Sequence, residues 1–325
     1  MVVLFETHEA FAAHDPGRRP AEFGLEQVWH PERPARLAAV RAGAELAGLE
    51  DDLVLVTPRP ASRDELERVH PAAWLDELEG LCLAGPLAID GDTHVVPASW
   101  EAAVLAAGAG LDAIERLQRG EGDAAFCAVR PPGHHASAAR AMGFCLLNNA
   151  AVAAAALVAA GRRVAIVDYD AHHGNGTQDI FWRDGRVLYV SLHEYAPPAV
   201  YPGTGGPHET GEGDGAGTTV NVPLPPGAGI EVYRAELDRI VEPAIARFAP
   251  DWLLLSVGFD AHEADPLMHL ELTSADYGEL AARCVAAAGT SGRSRTVAFL
   301  EGGYDLGALT GSTAATIAAL GGALA

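Results

Sequence analysis

Seven short, almost uninterrupted apolar runs punctuate the chain, at Val2 to Phe5, Leu53 to Val56, Ala124 to Val129, Val164 to Val167, Val187 to Leu192, Trp252 to Val257 and Thr296 to Leu300. Runs of this kind are expected for strands covered on both faces. Helix-like segments lie between them, at Pro34 to Leu46, Trp100 to Gln118, Leu146 to Ala160, Ile230 to Phe248, Ala275 to Ala287 and Leu306 to Leu320. The alternation predicts an α/β fold in which βα units surround a parallel sheet. Ser62 followed by Glu65 predicts a capping box opening a short helix that ends near His70-Pro71. The stretch Gly203 to Gly217, dense in glycine and carrying Glu209, Glu212 and Asp214, predicts a long surface loop between strands. With no low-complexity linker and no repeat at a period of roughly 20 to 50 residues, one domain over residues 1–325 is expected.

Composition narrows the classes of partner. Hydrophobic residues make up 49% of the chain, enough for a substantial core. Against 44 acidic residues stand 22 basic ones, every one of them arginine, so the net charge of −22 repels a phosphate backbone and suits cationic or neutral partners. Self-acylation on lysine is ruled out. Cys82, Cys127, Cys145 and Cys284 are far apart with no C-x-x-C pair, which predicts a reducing, cytoplasmic setting. Met1 to Ala10 lacks the regions of a signal peptide. The longest apolar stretch, Ala150 to Ala160, is far short of the ~20 residues that span a bilayer and predicts a buried helix, so no membrane partner is expected.

Polar residues collect where the predicted strands end. Arg130-Pro131-Pro132-Gly133-His134-His135 follows one run, Asp168-Tyr169-Asp170-Ala171-His172-His173-Gly174-Asn175 a second, Gly258-Phe259-Asp260 a third and Glu301-Gly302-Gly303-Tyr304 a fourth. In a parallel sheet these ends share one edge, where ligands bind. Asp170 and His172, two apart, point the same way from an extended segment, and Asp260 adds a third donor. Two carboxylates and one imidazole suit a divalent cation such as zinc with coordination positions open to water and substrate. Metal-assisted hydrolysis also needs a proton carrier and an oxyanion donor, for which His134, His135 and Tyr304 are the candidates. Asp168 and Asn175 are placed to orient the imidazoles through their second nitrogens.

These stretches resemble the zinc-dependent histone deacetylase superfamily, which includes acetylpolyamine amidohydrolases and bacterial deacetylase-like amidohydrolases. RPPGHHA, GFCLLNN, VDYDAHHGNGTQ, SVGFDAHEADPL and LEGGYDL occur in the family's order, within a match from His30-Pro31-Glu32-Arg33-Pro34 to Tyr304, and HHGNG looks closer to the class II and bacterial branch. The resemblance implies an arginase-like α/β fold with an eight-stranded, mainly parallel sheet, and hydrolysis of an N-acetyl amide to acetate and amine. It implies Asp170, His172 and Asp260 as zinc ligands, with iron(II) an alternative ion. His135 matches the general base and acid, His134 with Asp168 the electrostatic pair, Tyr304 the oxyanion donor, and Asn175 the group orienting the second histidine. Gly143 and Phe144, with Tyr201 opposite, match the walls of an acyl-lysine tunnel in which the family usually has phenylalanine at the last position. A structural potassium ion is implied too, with Asp168, Asp170, Ser191 and the backbone oxygens of His172 and Leu192 matching its ligands.

Two other readings carry their own signatures. An arginase-type ureohydrolase needs ligands for a second metal, but Gly174 and Gly258 stand where those carboxylates belong. A non-catalytic binding module is expected to lose the tyrosine or a metal ligand, and all are present. On substrate, Leu267 after Asp265-Pro266 looks like the protein-lysine deacetylase pattern, where polyamine-selective relatives can carry a glutamate. Glu209, Glu212, Asp214 or Glu263 at the rim is the alternative source of charge for an acetylpolyamine. Phe11 to Glu22 is expected at the entrance, with His14 and Asp15, like Asp90 and Asp92, as rim contacts or ordinary loop residues.

Overall fold

The computed structural model describes residues 1–20, 27–289 and 295–322. Its frame is one sheet of eight strands: β1 (Val3–Glu6), β2 (Leu53–Val56), β3 (Ala124–Cys127), β4 (Val164–Asp168), β5 (Val187–Glu194), β6 (Thr219–Leu224), β7 (Trp252–Val257) and β8 (Arg295–Leu300). They pair in the order β6-β5-β4-β7-β8-β3-β1-β2, and every pairing is parallel. Successive residues of the inner strands feed two apolar layers, so Ala165 and Val167 enter one and Val164 and Ile166 the other. That explains the uninterrupted runs, because both faces of the sheet are covered by helices. The four strands followed by polar clusters, β4, β7, β8 and β3, are the contiguous centre of the sheet. Their carboxyl ends therefore meet.

The seven expected strands are present, and β6 is an eighth that the apolar runs did not mark. Asn221 and Pro223 interrupt its sequence. A proline is tolerated because β6 is an edge strand paired on one side only. The capping box of Ser62 and Glu65 is present, but the helix it opens, Arg63–Leu66, ends short of His70-Pro71. Three described α-helices lie outside the expected set, Ala10–Ala13, Ala72–Ala84 and Asn175–Phe181. The Ala-rich helix starts at Asn149 rather than Leu146, because the Asn148 side chain accepts from Ala151 N and caps it. The segment predicted as one helix from Ile230 to Phe248 is helical throughout but widens to a π turn at Leu237–Val241, just ahead of Pro243, whose ring nitrogen has no proton to donate. No described helix is long and apolar enough to cross a membrane.

Candidate active site

Each site residue is held by the main chain around it. After β3 the chain packs against the start of helix Asn149–Ala159 so closely that a Cβ on Gly133 would lie 2.6 Å from Asn149 N. The buried Glu301 carboxylate, just past β8, accepts from Gly133 N at 2.7 Å and His134 N at 3.1 Å, which aims the two histidines over the sheet edge. Asp168 ends β4, and the turn after it delivers Asp170 and His172 before Asn175 opens the next helix.

The two adjacent imidazoles have opposite surroundings. His134 Nδ1 donates to Asp168 Oδ2 at 3.0 Å, and the Tyr189 hydroxyl donates to the same oxygen. Burial alone would lower the His134 pKa, but the carboxylates of Asp170 and Asp168 outweigh it and push the value up to about 10. His135 Nδ1 bonds to the Asn175 amide oxygen at 2.8 Å. Burial, reinforced by the charge of His134 and His172, holds His135 well below the ordinary histidine value. The ring centroids are 4.0 Å apart, so a charged and a neutral imidazole stand side by side.

Below them Asp170, His172 and Asp260 converge, with donor atoms within 4.8 Å of one another. His172 Nδ1 lies 2.8 Å from Asp260 Oδ2 and 3.1 Å from Asp170 Oδ1. Main-chain amides orient both carboxylates: Ala171 N donates to Asp260 Oδ1 at 2.7 Å and Gly302 N to Asp170 Oδ2 at 2.8 Å. The donor set and its cradle fit a divalent cation. A Cβ on Gly258 would lie 2.0 Å from Asp170 Oδ2, and one on Gly174 would lie 2.3 Å from Asp168 Oδ2. Neither position has room for a carboxylate, which removes the two-metal ureohydrolase reading. His134, Cys145 and Glu301 form a second convergent group, but Asp168, the Gly143 carbonyl and two main-chain amides already engage its members.

A pocket of 230 Å³ opens onto this cluster, lined by Gly143, Phe144, Tyr201, Leu267 and Tyr304 together with His134, His135 and His172. Gly143, at φ +56°, lets the wall approach: an added Cβ would lie 2.4 Å from His135 Cδ2 and 3.0 Å from the Tyr201 hydroxyl. Phe144 holds a left-handed φ of +68°, fixed by Thr93 Oγ1 accepting from its amide at 3.1 Å. The Tyr201 ring meets His135 edge-on at 5.1 Å. The Tyr304 hydroxyl is held well above its ordinary pKa by burial and the nearby Asp260, so it stays a proton donor. A larger groove of 580 Å³ lies at the far edge of the sheet beside Leu53 and Leu55, but none of the convergent groups lines it. Chemistry, rather than volume, marks the smaller pocket.

All the residues singled out for the reaction and the tunnel thus come together. Ser191 is the register partner of Asp168 and Leu192 follows it, so the positions implied for a monovalent cation are also adjacent. The rim assignments fare differently. Glu209 accepts from Gly205 N and Gly206 N in its own loop and from Gln178 of helix Asn175–Phe181, and Glu212 pairs with Arg183 just after that helix, so both carboxylates are engaged away from the pocket. Asp214 and Glu263 are exposed, and neither lines the pocket. Asp92 does line it, whereas Asp90 accepts from Asp92 N and Thr93 N in a local turn. Phe11 and His14 are not at the entrance. Phe11 is fully buried, and His14 is buried against Ser99 and Glu32, which lowers its pKa to about 4, chiefly through burial. Asp15 accepts from Gly17 N as an ordinary turn residue, and Glu22 lies outside the described residues.

The sequence reading missed a buried charge cluster behind Tyr304. Glu32 accepts from both Arg36 and Arg130, and Arg36 donates onward to the carbonyls of Gly303 at 2.7 Å and Glu301 at 2.5 Å. The Glu32–Arg36 spacing of four residues on an incipient helix was its one visible sign.

Comparison with known proteins agrees with this geometry. The family model described as "Histone deacetylase domain" matches residues 30–320. A protein of Archaeoglobus fulgidus named "Probable deacetylase" is 40% identical over 99% of this chain and 87% of its own length. A "Histone deacetylase-like amidohydrolase" of Pseudomonas aeruginosa is 40% identical over 85% of this chain and 73% of its own. The crystal structure of an acetylpolyamine aminohydrolase from Burkholderia pseudomallei is 31% identical and superposes with a TM-score of 0.86, covering 98% of this chain and 99% of the other.

Proposed function

Because this chain belongs to the histone deacetylase family, we propose that it removes the acetyl group from acetylated lysine side chains, acting as a single catalytic domain over residues 1–325. The family is metal-dependent, and its members are amide hydrolases that act on acetylated substrates. Asp170, His172 and Asp260 would hold the catalytic ion, zinc or iron(II). When bound, such an ion polarises the acyl oxygen and acidifies a water. Asp168, Asp170, Ser191 and the carbonyls of His172 and Leu192 would hold a potassium ion.

The chain's own groups then divide the work. The Asn175 oxygen accepts a hydrogen bond from the Nδ1–H of His135, which leaves the Nε2 lone pair free to accept the proton of the attacking water. As the C–N bond breaks, His135 returns that proton to the amine nitrogen. His134, held positive by Asp168, stabilises the negative charge that develops beside it. The Tyr304 hydroxyl donates to the oxyanion. The observation that carries this reading is the imidazole pair, one bonded to a carboxylate and one to an amide, set over the convergent donors at the floor of a narrow pocket.

Acetyl-lysine is favoured over an acetylpolyamine by the mouth of that pocket. Leu267, 38% exposed, and Tyr201 form its outer wall, and Asp92 is the one acidic side chain among its described lining residues. Among the described lining residues, a polyamine's further ammonium groups would find a single carboxylate. The four cysteines are buried and free, in keeping with a cytoplasmic setting.

The test is a side-by-side rate comparison of an acetyl-lysine peptide, acetylputrescine and acetylspermidine with the metal-loaded protein. The peptide is expected to have the highest kcat/KM, and a polyamine preferred by tenfold or more would refute the assignment. Tyr304→Phe, which removes one oxyanion donor, is expected to lower kcat about 10²- to 10³-fold on every substrate that turns over. An unchanged rate would take Tyr304 out of the reaction.

A further inference from the structure

We propose that Asp265 is a positioning residue that ties the oxyanion tyrosine and the outer wall of the substrate pocket to one carboxylate. The inference rests on the deacetylase reading above. Asp265 lies in the loop after β7 and is 8% exposed. Its Oδ2 accepts from Tyr304 N at 2.8 Å, and its Oδ1 accepts from Leu267 N at 2.9 Å. Its own amide donates to His262 O at 2.8 Å, which fixes the carboxylate to its loop.

Tyr304 needs such a tether. It directly follows Gly302-Gly303, and Gly303 adopts φ +113°, a conformation with little intrinsic resistance to rotation. Phe259 N donating to Gly302 O and Arg36 donating to Gly303 O secure the residues before it. Asp265 secures the main chain of Tyr304 itself. The same carboxylate sets Leu267, so a shift at the mouth is transmitted to the donor at the floor through two hydrogen bonds.

The chemistry calls for a carboxylate in particular. Both partners are N–H donors, and an aspartate offers an acceptor oxygen to each. Asparagine offers one oxygen and turns an NH2 group toward the other donor, leaving a buried N–H without an acceptor.

The experiment is a double-mutant cycle on the metal-loaded full chain with an acetyl-lysine peptide. Asp265→Asn is expected to lower kcat about 10- to 100-fold with metal content unchanged by elemental analysis. In a Tyr304→Phe background the same substitution is expected to change kcat by less than about threefold, because the hydroxyl it places is gone. Asp265→Glu, which keeps both acceptors on a longer stem, is run through the same cycle and should lose less, again only when Tyr304 is intact. If Asp265→Asn does not fold, Asp265→Glu decides. Undiminished kcat, or equal losses with and without the tyrosine hydroxyl, would overturn the proposal. A wild-type chain that hydrolyses no acetyl amide would overturn the deacetylase reading, and this one with it. Normal wild-type turnover with an indifferent Asp265 overturns this one alone.

Discussion

Replacing His135 by alanine is expected to lower kcat on an acetyl-lysine peptide about 10²- to 10⁴-fold, the range of a lost general acid–base group. His135 qualifies for that role by its environment. Its Nδ1 meets an oxygen that can only accept, while the Asn175 nitrogen turns to Met142 Sδ at 3.5 Å, so the amide's orientation is itself fixed. The lone pair is thereby committed to Nε2. Burial and two neighbouring imidazoles keep the ring neutral at pH 7, ready to accept a proton, whereas His134 next to it is held charged. Steady-state kinetics with elemental analysis of the variant separate the outcomes. Because His135 is not among the convergent metal donors, metal content should be retained, and KM should change far less than kcat. A kcat within tenfold of wild type would move the proton-transfer role elsewhere.

What the sequence revealed followed from how locally each feature is encoded. Strands buried on both faces announce themselves as apolar runs, and the residues at their carboxyl ends are adjacent in sequence to those runs. The convergence of Asp170, His172 and Asp260, and the placing of Tyr304 in the same pocket, were legible for that reason. β6 was not, because an edge strand can carry Asn221 and Pro223 without losing a ladder bond that it does not make. Helix Asn175–Phe181 was hidden by its Asn-Gly start, where Gly176 is dictated by crowding: a Cβ there would lie 2.3 Å from the Ala136 carbonyl oxygen. Helix Ala72–Ala84 did leave a trace, its buried Leu75, Leu78 and Cys82 falling on one face. Partnerships across the chain leave no such trace. Arg36 meets Gly303 across 267 positions and Gly133 meets Glu301 across 168, and no periodicity encodes a pairing of that kind. His14 went wrong in the same way, since a polar residue ahead of a polar loop reads as surface until Ser99 and Glu32 close over it.

The long-range partnerships have the greater weight for stability, and Glu32→Gln is expected to destabilise the fold by about 3–5 kcal/mol, the range for removing one member of a buried ion cluster. Glu32, Arg36 and Arg130 have fully buried side chains. Arg130 is bidentate to Glu32 and also donates to Phe11 O at 2.8 Å, and Arg36 bonds to Glu32 Oε1 at 3.0 Å. Glutamine preserves the shape but leaves two guanidinium charges in the interior without their shared counter-charge, and it places a donor where an acceptor is required. Burial alone would raise the Glu32 pKa, but Arg130 and then Arg36 outweigh it and hold the carboxyl at about 2. A carboxylate whose pKa is depressed in the folded state contributes stability that is complete above the unfolded value near 4.5 and is lost as pH falls through that value toward about 2. Urea unfolding therefore has two expected signatures. The variant should lose most of its deficit relative to wild type between pH 4.5 and 2, and its midpoint at pH 7 should be far lower. Equal midpoints at pH 7 would show that the arginines find other partners. Since Arg36 also fixes Gly303 and Glu301, the carbonyls flanking the turn to Tyr304, any folded fraction of the variant should turn over more slowly than wild type, which single-turnover measurement in the absence of urea would reveal.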